Sequence, residues 1–144
     1  MKYEFEIEIN QPRTKVIELF DNPENLKKWQ PGFISFKYME GEAGKPGAKS
    51  IVKYKMGKRD IEMIETIISR NLPDEFSGIY ETRGMWNKVE NFFMEISADK
   101  TKWKTVNEFK ASGFTKFFVW LMPRAFKKQT LQYMKLFKDF CEKS

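Results

Sequence analysis

One carboxylate sits where acid–base chemistry would have use for it. Glu65 lies in the run Ile61-Glu62-Met63-Ile64-Glu65-Thr66-Ile67. In an extended chain, Ile61, Met63 and Ile67 share its side. A carboxyl group among such neighbours holds its proton more tightly than in water and could act as a general acid or base. Both sides of this run are mixed, however, with Ile64 and Ile68 opposite. A twisted or edge strand that leaves Glu65 wet is therefore the favoured expectation. Tyr54 and Tyr80 are candidate donors to an oxygen of a bound molecule. Each serves equally well as a core filler with its hydroxyl at the surface. Asn91 and Asn107 could orient a carbonyl or hydroxyl, or could satisfy each other and the backbone.

Other chemistries are excluded by composition. There is no His in the 144 residues. A Ser-His-Asp or Cys-His arrangement is impossible, as is a His-ligated metal or haem. The lone thiol, Cys141, allows neither an intrachain disulfide nor a Cys-rich zinc site, and fits a reducing cytoplasm. No metal and no cofactor are expected. Gly41, Gly44 and Gly47 follow a strand, but no helix starts after them to cradle a nucleotide phosphate.

The elements that must position these residues come from periodicity. Aromatic residues reach 16%, with 14 Phe, so the chain has ample surface to bury and is not disordered. Its length suits a single domain, residues 1–144. Tyr3 to Ile9 alternates apolar residues with Glu4, Glu6 and Glu8, a half-buried strand. Pro12 opens a short helix carrying Val16, Ile17, Leu19 and Phe20. Pro23 restarts a second over Glu24 to Lys28. Extended segments follow at Phe33–Glu40, Ala48–Met56, Arg59–Arg70, Phe76–Arg83, Trp86–Ser97 and Thr101–Ala111. From Phe114 the period changes to about 3.6, and a long helix to about residue 142 is expected. Pro123 either kinks it or separates a lead-in helix from the main one.

Hairpin-length connections imply an antiparallel meander of about seven strands. Its apolar side needs a cover, and the C-terminal helix alone is long enough. The expected class is α+β, a curved antiparallel sheet gripping that helix. If Thr101 points inward, so do Trp103, Thr105, Asn107 and Phe109, while Lys102, Lys104 and Lys110 point outward. A three-residue turn at 98–100 would set Asn91 beside Asn107 and Phe93 beside Thr105. A two-residue turn at Asp99-Lys100 would change those partners.

The sequence resembles the SRPBCC superfamily, the START-like group that includes polyketide cyclase/dehydrase-like proteins and the birch pollen allergen. The resemblance is carried by Ile7-Glu8-Ile9-Asn10-Gln11-Pro12, Val16, Phe20 and Asn22-Pro23-Glu24-Asn25-Leu26-Lys27-Lys28-Trp29. Gly44-Lys45-Pro46-Gly47-Ala48-Lys49, Leu72-Pro73 and Thr101-Lys102-Trp103 extend it along the whole chain. It implies a helix-grip fold with a hydrophobic tunnel between sheet and helix. Members bind lipids, sterols, polyketides or hormones, and others are cyclases, hydratases or chaperone activators, so the fold leaves the activity open. By resemblance Trp29 lies near the tunnel mouth, or else caps the core. The expected lining is Trp29, Tyr54, Tyr80, Asn91, Phe93, Trp103, Thr105, Asn107, Phe109, Met122 and Phe126.

Three functions follow. The first is binding of a small hydrophobic molecule. The second is a cyclase or hydratase that moves protons through Glu65, Tyr54 or Tyr80. The third is a protein-interaction module with a filled tunnel and an exposed patch from Phe117 to Lys128. Phe114, Phe117, Phe118, Trp120, Leu121 and Met122 leave no polar helix face. Burial is the first expectation for them, a homodimer contact through Phe117–Met122 the second and a membrane surface the third. The run is far too short to span a bilayer, so no integral membrane association is expected, and Met1 to Glu6 does not read as a signal peptide. The pI near 9.3 comes with no nucleic-acid motif, and nucleic acid is not an expected partner. The expected compartment is the cytoplasm.

Overall fold

A computed structural model describes residues 1–113, 115–117 and 122–144. Seven strands form one antiparallel sheet: β1 (Lys2–Ile9), β2 (Phe33–Glu40), β3 (Lys49–Met56), β4 (Arg59–Asn71), β5 (Glu75–Thr82), β6 (Met85–Ser97) and β7 (Lys100–Ala111). Their order is β1-β7-β6-β5-β4-β3-β2. The chain starts at one edge and crosses to the other through α1 (Arg13–Phe20), a 3-10 turn (Pro23–Asn25) and α2 (Leu26–Trp29). It then meanders back until β7 pairs with β1. The main helix, α3, is Pro123–Glu142.

Proline sets both helix boundaries that the sequence left open. The second short helix was expected over Glu24 to Lys28. Pro23 instead starts a 3-10 turn, with the Glu24 N–H donating to the Asn22 side chain at 3.0 Å, and α2 follows it. At the other end, Met122 has φ −126° and ψ 45°, outside the helical region. A residue before proline is pushed out of that region by the ring. Pro123 therefore takes the first helical position, and residues 115–117 form a separate helical piece.

The sheet's outer surface near β1 is ionic. Lys104, Lys102 and Lys100 reach Glu4, Glu6 and Glu8 at 3.6, 3.7 and 3.5 Å. These exposed pairs are worth about 0–1 kcal/mol each. Their main effect is to keep this side of both strands wet and the other side inward. Gly32, at φ +75°, makes the turn into β2. A Cβ there would stand 2.2 Å from the Lys55 carbonyl oxygen, so only glycine lets the loop close onto β3.

The core lies where α1, α2 and α3 meet the β1–β7–β6 side of the sheet. Ile9, Val16, Trp29, Phe93, Trp103, Met134, Phe137 and Cys141 form it. Met134, Phe137 and Cys141 recur at helical spacing, which puts one face of α3 inward. The Phe137 ring meets Phe20, Trp29 and Trp103 edge-on at centroid separations of 5.7, 4.9 and 5.2 Å. Burial pushes the Cys141 thiol up to about 12, with the neighbouring Glu142 charge adding to it, so this cysteine is an inert filler. Phe137→Ala should cost about 3–5 kcal/mol, because the ring is fully enclosed and its neighbours cannot all close the gap. Urea unfolding monitored by circular dichroism measures this; a loss under 1 kcal/mol would show that the cluster is not what holds α3.

Candidate functional site

The inner side of the sheet is not uniformly apolar. Ser50 from β3, Glu65 from β4, Asn91 from β6 and Thr105 and Asn107 from β7 are all buried there. Glu65 is 9% exposed, which corrects the expectation of a wet position. The strand does have mixed faces, but it lies between β3 and β5 rather than at an edge, so its inward residues are covered from both sides. Glu65 stands opposite Ser50 on one neighbour and Tyr80 on the other. The Tyr80 hydroxyl donates to Glu65 Oε2 at 2.8 Å. Tyr54 donates to Gln30 Oε1 at 2.6 Å.

Electrostatics follows from this burial. Desolvation raises the Glu65 carboxyl above its ordinary value, and the Tyr80 hydrogen bond offsets only part of the rise. Tyr80 is raised well above a free phenol by burial, by the Glu65 charge and by donating to it. Tyr54 is also raised, by burial first and then by Tyr133 and Glu65, with its hydrogen bond to Gln30 offsetting part of the rise. Three phenols and one carboxyl thus share a region of low dielectric.

The amides are arranged differently from expectation. The β6–β7 turn is Ala98-Asp99, with an irregularity between Glu95 and Ser97. Asn91 therefore faces Thr105, Phe93 faces Trp103, and Asn107 faces Val89. The shift is two residues, so every side chain keeps its side of the sheet. Trp103 Nε1 donates to Asn91 Oδ1 at 3.0 Å, and Asn107 Nδ2 donates to Thr105 Oγ1 at 3.2 Å. Asn91 Nδ2, Asn107 Oδ1 and Glu65 Oε1 have no protein partner among the described residues. Of the side-chain nitrogens and oxygens described, only Trp29 Nε1 is both sealed and unpartnered. The other three atoms therefore border space that a water molecule can reach.

The remaining expected lining residues divide into two groups. Phe93 and Trp103 stack at 6.1 Å inside the core. Trp29, 8% exposed, packs on Phe137 and Tyr133 and is not at an open mouth. Phe109 contacts Phe126 at 4.9 Å, away from that cluster. Met122 is 50% exposed at the start of α3. Phe114, Phe118, Trp120 and Leu121 lie outside the described residues. Sequence reading missed Gln30 and Tyr133. A phenol on the buried stripe of α3 was the available signal for Tyr133; Gln30 gave none. Two open surface grooves, of about 730 Å³ beside Arg13, Asp74 and Lys104 and about 400 Å³ beside Phe126, Lys128 and Gln132, do not touch Glu65. Among the described residues no group of three or more Cys, Asp or Glu side chains is placed to hold a metal ion.

No family model and no curated protein matches the sequence. Solved structures do. The Zhui aromatase/cyclase from Streptomyces sp. R1128 superposes with a TM-score of 0.81 at 11% identity, covering 99% of this chain and 93% of that one. Ara h 8.0201 gives 0.78 at 15% identity, covering 100% and 99%. A START superfamily protein from Mycobacterium smegmatis gives 0.78 at 10%, covering 99% and 97%. The chain has the helix-grip fold of START-like proteins, with the seven-stranded antiparallel sheet and long C-terminal helix expected from sequence.

The native state binds the Glu65 proton more tightly than the unfolded chain does. Glu65 therefore lowers stability as pH rises from the ordinary carboxylate range through its raised native value. Glu65→Gln should abolish this part of the pH slope and stabilise the protein at neutral pH. Tyr80→Phe should steepen it, because a bond to the ionised form is lost. Thermal unfolding across pH 4 to 8, roughly the window set by that range, reads both; parallel curves for wild type and Glu65→Gln would mean that Glu65 is not desolvated.

Proposed function

We propose that the protein binds a small, largely apolar molecule between the inner side of the sheet and α3, and that Glu65 with Tyr80 engages the molecule's polar group. The observation that carries this reading is the buried Glu65–Tyr80 pair with one carboxylate oxygen uncommitted. Asn91 Nδ2 and Asn107 Oδ1 supply a donor and an acceptor on the same side. A ligand with a hydroxyl or carbonyl on an aromatic or alicyclic body matches these groups. Covering roughly 300 Å² of its apolar surface would contribute on the order of 7 kcal/mol before association costs. Structures of the same fold lend support, since they include an aromatase/cyclase and the norcoclaurine synthase from Thalictrum flavum in complex with dopamine and hydroxybenzaldehyde. The latter superposes at TM-score 0.71 and 14% identity, covering 97% of this chain and 85% of that one.

A second reading, proton transfer of the cyclase or hydratase kind, is favoured by one specific feature. Glu65 is inward, raised by burial and hydrogen-bonded to a phenol, as a carboxyl acid–base group without histidine requires. In that reading Glu65 exchanges a proton with the ligand through Oε1, and Tyr80 holds Oε2 in place.

Native mass spectrometry of freshly purified protein should show a co-purifying small molecule, and phenols or aromatic ketones should raise the melting temperature. Glu65→Gln and Tyr80→Phe should each weaken binding by about tenfold, the worth of a hydrogen bond to a buried charged group. Absence of any bound or stabilising molecule would overturn the binding reading. Retained binding with lost turnover in Glu65→Gln would select the enzymatic one.

A further inference from the structure

From Phe109 to Lys138 the chain carries seven basic residues and no acidic one. On the outer surface of β1 and β7 lysines alternate with acids, as the Glu4–Lys104, Glu6–Lys102 and Glu8–Lys100 ladder shows. The stretch after Phe109 has no such acids. Lys116, Arg124, Lys127 and Lys128 are exposed and take part in no ion pair among the described residues. Three of them stand in the first two turns of α3, which has no acid in its first turn. Cations there oppose the helix dipole and repel one another, so their placement does nothing for folding. Two large apolar residues neighbour these cations in sequence. Phe117 is 58% exposed and Met122 is 50% exposed. The sequence between these two, residues 118–121, has no charged residue.

A run of seven basic residues with no acid among them suits an anionic partner. The adjoining thioether and ring decide its kind, because such groups gain from acyl chains and nothing from a sugar–phosphate backbone. We infer that this surface, formed by Lys116, Phe117, Met122, Arg124, Lys127 and Lys128, docks the protein on a bilayer rich in anionic lipid. The cations lie over the headgroups while Phe117 and Met122 enter the headgroup–acyl boundary. The contact is peripheral: no helix among the described residues is long and apolar enough to cross a membrane. It does not depend on what occupies the inner site.

The test is flotation of the full chain with phosphatidylcholine vesicles, with or without roughly one-third phosphatidylserine. Binding is expected only with phosphatidylserine and should fall steeply as salt is raised, since exposed charges are screened. Lys127→Glu with Lys128→Glu should weaken binding by about tenfold or more, as each basic residue near an anionic surface is worth about fivefold. Met122→Ser should weaken it by about fivefold through lost apolar burial. Glu65→Gln should bind as wild type does, which separates this surface from the inner site. All these positions except Glu65 are exposed, and circular dichroism checks that each variant is folded. If the charge reversal does not fold, the salt titration of wild type decides alone. Equal binding to neutral vesicles, or none to anionic ones at low salt, would overturn the inference. So would binding to a DNA duplex as tight as to vesicles and unaffected by Met122→Ser, or a stable dimer in light scattering that Met122→Ser dissociates.

Discussion

The edge-on packing of Phe137 against Phe20, Trp29 and Trp103 decides where the long helix can lie. Four rings from α1, α2, β7 and α3 meet at one point, and close packing leaves little tolerance for sliding. Polar contacts then fix the helix along β1. The Tyr3 hydroxyl is 2.6 Å from Thr130 Oγ1, Gln11 donates to the Cys141 carbonyl, and Lys138 donates to the Glu8 carbonyl. The helix is thus held over one side of the sheet. The inward residues of β3, β4 and β5 lie beyond that aromatic cluster, and there polar side chains are tolerated.

This division explains two uses of charge within one sheet. On the outer side, Glu and Lys face each other in water, where an ion pair is cheap to make and contributes little. On the inner side, the Glu65 carboxyl is hydrogen-bonded to one phenol and, among the described residues, is paired with no cation. A buried, half-satisfied acid detracts from stability, and proteins commonly keep such groups where they bind or react. The same contrast appears along α3. Its C-terminal half supplies Met134, Phe137 and Cys141 to the core, while its first turns present unpaired cations to the outside.

Fold likeness alone could not have led to the site. Structures that superpose on this chain at 10–15% identity include Ara h 8.0201, an aromatase/cyclase, a START superfamily protein and norcoclaurine synthase. The shared feature is a sheet bent around a helix, and such a fold hosts many functions. The polar side chains buried on the inner surface here include Glu65, Asn91 and Asn107, with Tyr80 bonded to Glu65 and Tyr54 to Gln30.

Local physics made much of the fold legible in the sequence. Strict alternation in residues 3–9 and 101–109, with Glu or Lys on one side, specified both the strands and their inward faces, because the side-chain period of a strand is two. Proline and glycine marked the breaks for a similar local reason. What stayed hidden depended on neighbours distant in sequence. The alternation in β4 could not say whether Glu65 was wet, since that was settled by β3 and β5 on either side and by what lies above them. The pairing of Asn91 with Thr105 turned on one bulge near Ser97, which shifts register without altering the pattern of faces. The partnership of Tyr54 with Gln30 required a glycine turn at residue 32 to bring two segments together. Periodicity is a property of the chain itself, whereas desolvation and hydrogen-bond partners belong to the packed molecule.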